Sequence, residues 1–299
     1  MRAYLAIIRP NNILLTLLTQ AVFMLAASRL SYFSIDWENI ALPEAYLIIL
    51  TCCLTAAGGY VINDLFDVDT DHVNRPNKRI LKRNISHQSA VVYYAILTAA
   101  GQFCGYSAGL GVGLFATAIA ILLYFYSSDL KAMGLPGNLL IAFMSGSVIY
   151  IASRGIHEIN RGFFAEYAFL AFLLTFAREL IKDAQDIDGD KEQECETFPI
   201  VHGTKKTNLL SNVILATILV FLGIASYLLT IDVFLDVKST RSIIALIFPC
   251  YLAFILIPMV LRAMFLIAKA QQKRDYKKIS KWLKFTLLMG LLSVLLSQP

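Results

Sequence analysis

The chain has 299 residues, of which 58% are hydrophobic and only 16% are charged, with a formal net charge of +5. A soluble domain normally carries about 25% charged residues, so the composition excludes an ordinary soluble protein and indicates one that spans a membrane. The positive charge requires no nucleic-acid partner, because basic loops beside membrane spans also suit anionic lipid headgroups. We therefore expect membrane lipids, and no nucleic acid, among the partners.

The apolar segments predict nine membrane-spanning helices, because a helix needs about 20 apolar residues to cross the hydrocarbon core. The first segment resembles the apolar part of a signal peptide, but the segments that follow it along the whole chain favour an uncleaved span. A glycine-rich turn around Gly109, Gly111 and Gly113 separates the third span from the fourth. The expected spans are residues 11–28, 45–62, 90–107, 110–127, 137–153, 163–181, 208–229, 242–267 and 282–298.

Lysine and arginine are divided unequally between the two sides of this arrangement. The N-terminus and the loops after the second, fourth, sixth and eighth spans hold 21 of the 26, which leaves five on the opposite side. Because basic residues are retained in cytoplasmic loops, the distribution predicts a cytoplasmic N-terminus and an extracytoplasmic C-terminus.

Acidic residues are concentrated in two windows, which hold twelve of the 21. The first window follows the second span and contains Asn63, Asp67 and Asp71 at an i, i+4, i+8 spacing. A helix that continued out of the span would place these three side chains on one face. Asp64 and Asp69, and likewise Asp188 farther along the chain, suit a loop role as well as a direct one when taken singly.

The second window follows the sixth span and repeats a helical spacing with Asp183, Asp186 and Asp190. Carboxylates stacked this closely repel one another, so a cation is expected to hold them together. Hard oxygen ligands without a neighbouring His or Cys indicate Mg²⁺, with Mn²⁺ as the other possibility. Since Mg²⁺ completes its shell with phosphate oxygens, two such faces could clamp one diphosphate.

Basic residues accompany both windows and are suitable donors to the oxygens of a departing diphosphate. Lys131 also lies in the loop after the fourth span, behind Tyr126. The cations nearest the two acidic windows are Arg75, Lys78, Arg79, Arg178 and Lys182.

Three other interpretations compete with a diphosphate site. The charges could merely solvate the loops, but this does not explain two carboxylate faces with helical spacing on two different spans. A transporter also carries membrane carboxylates, usually near the bilayer midplane on broken helices, whereas these acids lie at the ends of spans. A soluble prenyltransferase or terpene synthase with paired Asp-rich motifs would not contain nine spans.

The run from Asn63 to Asp71 resembles the signature NDxxDxxxD of the UbiA superfamily of intramembrane prenyltransferases. The run from Arg178 to Asp190 resembles the second signature of the same family, a DxxxD motif within a longer signature sequence. The segment from Tyr126 to Lys131 is similar to the Tyr/Lys loop of the family. The Arg-Pro-x-Asn run that ends at Asn12 is similar to the entry into its first helix.

The resemblance covers nearly the whole chain and implies one all-α domain over residues 1–299. In this fold nine transmembrane helices surround a central cavity, which cytoplasmic loops cap. The implied metal ligands are Asn63, Asp67, Asp71, Asp186 and Asp190. The implied catalytic residues are Asp67, Asp71, Asp186, Asp190 and Lys131. The implied substrate-binding residues are Asn12, Asn63, Asp64, Arg75, Lys78, Tyr126, Arg178, Lys182 and Asp183.

The resemblance also implies the reaction, in which a magnesium-bound prenyl diphosphate ionises and an acceptor captures the allylic cation. The run that ends at Asp190 looks most like the branch of the family that uses geranylgeranylglyceryl phosphate in ether-lipid synthesis. An aromatic acceptor of the quinone, tocopherol or chlorophyll type is the alternative. The segment Asn77–Leu81 departs from the Arg-Pro-Ile-Pro-like run of many relatives.

Overall fold

The structure is a computed structural model that describes residues 2–31, 34–68, 84–157, 160–192, 194–235 and 245–297. These residues are mostly helical, as the sequence predicts. Besides the helices there is one short antiparallel hairpin, β1 (Arg29–Ser31) with β2 (Ser34–Ile35).

The described helices of the first half of the chain are α1 (Arg2–Ile7), α2 (Pro10–Ala27), α3 (Leu42–Phe66), α4 (His87–Ala108), α5 (Leu110–Ser128) and α6 (Leu135–Ala152). Those of the second half are α7 (Arg161–Glu192), α8 (Phe198–His202), α9 (Thr204–Leu235), α10 (Ile247–Tyr251), α11 (Ile257–Lys269) and α12 (Lys273–Val294). A π-helical segment, Leu252–Leu256, joins α10 to α11.

Helices of the described residues overlap each of the nine expected spans, but their suitability for crossing a membrane differs. Within the described residues, six helical stretches are long and apolar enough: Pro10–Ala27, Leu42–Phe66, Leu110–Ser128, Leu135–Gly155, Thr204–Asp232 and Ile247–Lys269. The other three expected spans lie in α4, α7 and α12, and the last two of these helices carry several charged residues. The chain is therefore a multi-pass membrane protein, while the count of nine and the central cavity stay predictions.

The described residues group into two compact units. The first consists of residues 1–28, 36–140 and 147–165, and the second of residues 29–35, 141–146 and 166–299. The first acidic window lies in the first unit, and the second acidic window lies in the second unit. One domain over residues 1–299 stays a prediction.

Small residues allow the helices of the first unit to pack closely against one another. A Cβ atom added to Gly59 would lie 2.8 Å from Leu123 of α5, and one added to Gly113 would lie 2.4 Å from the ring of Tyr106. The turn between α4 and α5 is made by Gly109, whose φ of 139° is open only to glycine at low cost. The predicted glycine-rich turn is confirmed at Gly109, whereas Gly113 lies inside α5 and serves close packing instead.

A buried apolar cluster supports the end of α3, where the first acidic window begins. Val61 and Val68 lie on either side of Asn63 and Asp67 in the sequence, and both valines belong to this cluster. Its buried members are Ile7, Ala57, Val61, Val68, Ile85, Ala90 and Leu97. The N-terminal helix α1 and the start of α4 thus fix the position from which the acidic window emerges.

Candidate functional site

The first acidic window lies at the C-terminal end of α3. The amide of Asn63 donates a hydrogen bond of 2.8 Å to Oδ2 of Asp67, as expected for neighbours at i and i+4. The helix ends at Phe66, and the backbone N–H of Asp67 closes the last turn on the carbonyl of Asn63 at 3.0 Å. Asp71 lies outside the described residues, so a common helical face for Asn63, Asp67 and Asp71 stays a prediction.

Lys131 lies against the first acidic window, while its role as a donor to diphosphate stays a prediction. Its ammonium group forms an ion pair with Oδ1 of Asp67, and both side chains are partly exposed. Lys131 belongs to a short 3₁₀ turn, Leu130–Met133, between α5 and α6. One carboxylate of the window is thus contacted by an amide donor and by a cation.

Two glycines shape the turn that carries Lys131. Gly134 has a φ of 67°, in the left-handed region that favours glycine. A Cβ atom at Gly137 would lie 2.5 Å from the carbonyl oxygen of Leu130, so only glycine allows α6 to begin this close to the turn. Tyr126 precedes the turn and is half-buried in the last turns of α5.

Asp64 has a partner that the sequence analysis did not include among the site residues. Nη2 of Arg9 donates to Oδ1 of Asp64 at 2.8 Å, and the guanidinium carbon of Arg9 lies 4.9 Å from the ring centroid of Tyr60. Arg9 has a φ of 54°, a conformation that costs a non-glycine residue about 1–3 kcal/mol. The contacts with Asp64 and Tyr60 offset this strain. No sequence pattern predicted the strained backbone of Arg9.

Asn12 lies in the first turn of α2, close in the sequence to this pair. Its backbone N–H bonds the carbonyl of Arg9 at 2.8 Å, and its own carbonyl accepts from the hydroxyl of Thr16 at 3.1 Å. The side chain of Asn12 is half-buried. A direct contact between this side chain and substrate stays a prediction.

The second acidic window is helical throughout. α7 has 32 residues and is about 48 Å long at 1.5 Å per residue, more than the ~30 Å of a hydrocarbon core. Its surplus length accommodates Asp183, Asp186 and Asp190 beyond the apolar part of the helix. All three are half-buried, and Oδ1 of Asp186 accepts a hydrogen bond from Gln185 at 3.1 Å. The predicted shared helical face is confirmed.

Glu179 is the residue of this window whose role the sequence analysis missed. Its side chain is buried, yet it accepts hydrogen bonds from Nη1 of Arg178 at 2.9 Å and from Nζ of Lys182 at 2.6 Å. One carboxylate therefore holds both predicted diphosphate donors of α7. The position of Glu179 between cations at i−1 and i+3 was the feature of the sequence that could have predicted these contacts.

The donor sets of the two windows fit a hard divalent cation. Within the described part of the chain, no three His, Cys, Asp or Glu side chains lie close enough together to hold a metal ion. Mg²⁺ needs few protein carboxylates, because substrate phosphate oxygens and water complete its shell. Each window, with its carboxylate and amide oxygens, therefore suits Mg²⁺ that arrives with a phosphate rather than a site that the protein completes alone.

Three predicted site residues lie outside the described residues. They are the metal ligand Asp71 and the substrate-binding cations Arg75 and Lys78. Their roles stay predictions.

Comparison with known proteins gives a consistent picture. Residues 17–292 match the model of the UbiA prenyltransferase family. A digeranylgeranylglyceryl phosphate synthase of Methanosphaera stadtmanae is 33% identical over 296 residues, which is 98% of both chains. One of Methanothermobacter thermautotrophicus is 30% identical over 285 residues, covering 95% of this chain and 92% of the relative.

Solved structures show the same fold. A structure of digeranylgeranylglyceryl phosphate synthase is 25% identical, with a TM-score of 0.73 over 98% of this chain and 96% of that chain. A UbiA homolog from Archaeoglobus fulgidus bound to GPP and Mg²⁺ is 18% identical, with a TM-score of 0.67 over 98% and 99% of the two chains.

Proposed function

Because the chain belongs to the UbiA prenyltransferase family, we propose that it transfers a geranylgeranyl group from geranylgeranyl diphosphate to geranylgeranylglyceryl phosphate. The product would be digeranylgeranylglyceryl phosphate. The two synthases that match nearly the whole chain are named after this compound. The structural observation that carries the proposal is the contact of Lys131 with Asp67 beside Asn63. A lysine ammonium group that lies next to a carboxylate and an amide is a suitable arrangement for binding a magnesium diphosphate.

In the proposed reaction the allylic C–O bond to the diphosphate breaks, and its electron pair leaves with the diphosphate. The acceptor hydroxyl oxygen then bonds to the allylic carbon, and the hydroxyl proton passes to the released diphosphate or to solvent water. Bound Mg²⁺ would neutralise negative charge that develops on the departing diphosphate. No redox partner is required, because one C–O bond replaces another.

Two carboxylates from each acidic window are the proposed magnesium ligands, together with the amide oxygen of Asn63. The proposed ligands are Asn63, Asp67, Asp71, Asp186 and Asp190. Lys131, Arg178 and Lys182 would hold diphosphate oxygens as charge develops on them, since preorganised donors stabilise such charge strongly. The fixed partners Asp67 and Glu179 reduce the reorganisation that these cations need.

The remaining proposed contacts belong to binding rather than to the breaking bond. Asn12, Asp64, Tyr126 and Asp183 are proposed to line the diphosphate site, following the resemblance to the family. A glycerol-phosphate acceptor brings a second phosphate, which needs cations besides those on the diphosphate. Arg75 and Lys78 are the proposed partners of that phosphate.

The proposal is tested with the purified full-length protein, labelled geranylgeranyl diphosphate and Mg²⁺. Geranylgeranylglyceryl phosphate, 4-hydroxybenzoate and dihydroxynaphthoate are offered as acceptors in separate reactions. We expect prenylation of the glyceryl phosphate only. Prenylation of an aromatic acceptor alone would make the acceptor assignment wrong and keep the enzyme a prenyltransferase.

A further inference from the structure

The exposed face of α12 changes character along the helix. In the first half it presents six exposed basic side chains: Lys273, Arg274, Lys277, Lys278, Lys281 and Lys284. In the second half the same face presents the exposed apolar side chains Phe285, Leu288 and Leu292. The opposite face is buried by Tyr276, Ile279 and Leu283 throughout. One helix face therefore has a basic zone followed by an apolar zone.

Two cations of the preceding helix α11 stack on aromatic rings, one ring in α12 and one in α11. The guanidinium carbon of Arg262 lies 4.4 Å from the ring centroid of Trp282, and the ammonium of Lys269 lies 4.1 Å from that of Phe265. The indole N–H of Trp282 donates to the carbonyl of Met259 at 2.9 Å. Trp282 precedes the apolar zone of α12, and tryptophan favours the level of lipid headgroups. The ring thus marks the boundary between the basic and apolar zones.

The positive charge of this hairpin is barely compensated. Residues 262–284 contain eight lysines and arginines and one acidic residue, Asp275. Asp275 accepts hydrogen bonds from the backbone N–H of Gln272 at 3.1 Å and of Gln271 at 3.3 Å. These bonds, that of Gln272 first, lower the pKa of Asp275 and commit it to capping α12. Across the described ranges of the chain, the structure shows no ion pair to any of the eight cations.

We propose that the hairpin of α11 and α12 is a binding surface for the anionic headgroups of membrane lipids. The basic zone would contact headgroup phosphates, Trp282 would lie at the interface, and the apolar zone would face acyl chains. Long lysine side chains suit this role, because their methylene stems cover apolar surface while the ammonium groups reach the headgroups. Negative lipid surfaces attract clusters of basic residues beside a membrane helix.

The apolar zone favours a lipid surface over an acidic soluble partner. Phe285, Leu288 and Leu292 continue the same face as the cations, and a membrane protein keeps such exposed side chains within the hydrocarbon region. The neighbouring cations are then held at the membrane surface itself. This inference does not depend on the prenyl-transfer reaction.

The chain contains only two tryptophans, Trp37 and Trp282. The substitution Trp37→Phe removes the exposed Trp37, so the remaining tryptophan fluorescence reports on this hairpin alone. The full-length protein is reconstituted into phosphatidylcholine vesicles. Two preparations of vesicles contain the same fraction of a phospholipid brominated on the acyl chain. This lipid is phosphatidylcholine in one preparation and phosphatidylglycerol in the other. We expect the brominated phosphatidylglycerol to quench Trp282 severalfold more strongly.

The basic zone is tested by a variant with Lys273→Gln, Lys277→Gln, Lys281→Gln and Lys284→Gln. These side chains are exposed, so we expect a folded protein that is quenched equally by the two lipids. A matched control carries Lys205→Gln and Lys206→Gln, which remove exposed charge from the start of α9. The control should keep the preference for phosphatidylglycerol. Should the fourfold variant misfold, Lys281→Gln alone should still lower the preference.

Several outcomes would overturn the proposal. Equal quenching of the parent protein by both lipids would show that the hairpin has no headgroup preference. An unchanged preference in the Lys281→Gln and fourfold variants would place the recognition elsewhere. Inorganic phosphate that removes the preference more effectively than potassium chloride of the same ionic strength would indicate a site for free phosphate.

Discussion

The ammonium group of Lys131 lies against the carboxylate of Asp67, which connects the turn after α5 to the end of α3. Gly134 and Gly137 give the turn a shape that residues with a Cβ atom could not adopt without strain. The sequence separates the two charged residues widely, whereas packing of α5 on α3 brings them together. The contact keeps a cation beside the first acidic window before any substrate binds.

Replacement of Lys131 tests this cation directly. Lys131→Gln should lower the prenyl-transfer rate about 10²–10³-fold, because one preorganised donor to developing charge is removed. Lys131→Arg should retain more of the activity, since it keeps the charge. Steady-state kinetics with geranylgeranyl diphosphate measures both variants, with Lys205→Gln as the control for loss of an exposed cation. A Lys131→Gln enzyme with more than half of the parent rate would contradict the proposed role.

Loss of one carboxylate from either window should abolish most of the activity. Asp67→Asn and Asp186→Asn keep the side-chain volume and remove a proposed magnesium ligand, so we expect rates lower by orders of magnitude. Both proteins should remain folded, which size-exclusion chromatography in detergent checks. Glu192→Gln changes an exposed residue at the end of α7 and is the control. Full activity in excess EDTA would show that no metal is needed.

Glu179 is predicted to be a positioning residue for Arg178 and Lys182. Glu179→Gln should raise the KM for the prenyl diphosphate more than the KM for the acceptor, because both cations lose their shared anion. Glu179→Asp should return the KM for the prenyl diphosphate only part of the way to the parent value, since the shorter side chain cannot reach both donors. Glu192→Gln, at the exposed end of α7, is the matched control. A purely structural role would lower the amount of folded enzyme and leave both KM values unchanged.

Two helical glycines should respond to alanine with opposite signs. Gly113→Ala should lower the thermal unfolding temperature in detergent, because its methyl group would lie 2.4 Å from the ring of Tyr106. Nothing lies within 4 Å of a Cβ atom at Gly223 in α9, so Gly223→Ala should stabilise the helix by about 0.5–1 kcal/mol. An unchanged or raised unfolding temperature for Gly113→Ala would contradict the packing around Gly113, and a lowered one for Gly223→Ala would contradict the open space around Gly223.

The orientation of the chain is tested at its C-terminus. The unequal distribution of lysine and arginine predicts that a reporter fused after Pro299 is active only in the extracytoplasmic compartment. A second reporter in the basic loop of residues 69–83 should be active only in the cytoplasm. A cytoplasmic signal from the C-terminal fusion would make the nine-span arrangement wrong.

The sequence by itself determined the membrane class, the positions of the helices and the two acidic windows. Apolar runs can be interpreted locally, because the bilayer imposes one length and one kind of backbone on every span. Helical spacing predicted the shared face of Asp183, Asp186 and Asp190 correctly, since α7 extends beyond its apolar part. The i, i+4 spacing of Asn63 and Asp67 agrees with the hydrogen bond between them, although α3 ends at Phe66.

Only the tertiary structure decided which charges meet. The pairs of Lys131 with Asp67 and of Arg9 with Asp64 join residues that are distant in the sequence, and small residues on the packed helices set their approach. The burial of Glu179 between Arg178 and Lys182 likewise depends on what surrounds α7, because a carboxylate on a bare helix would be solvated. Such contacts follow from the close packing of several helices, which no single segment of sequence specifies.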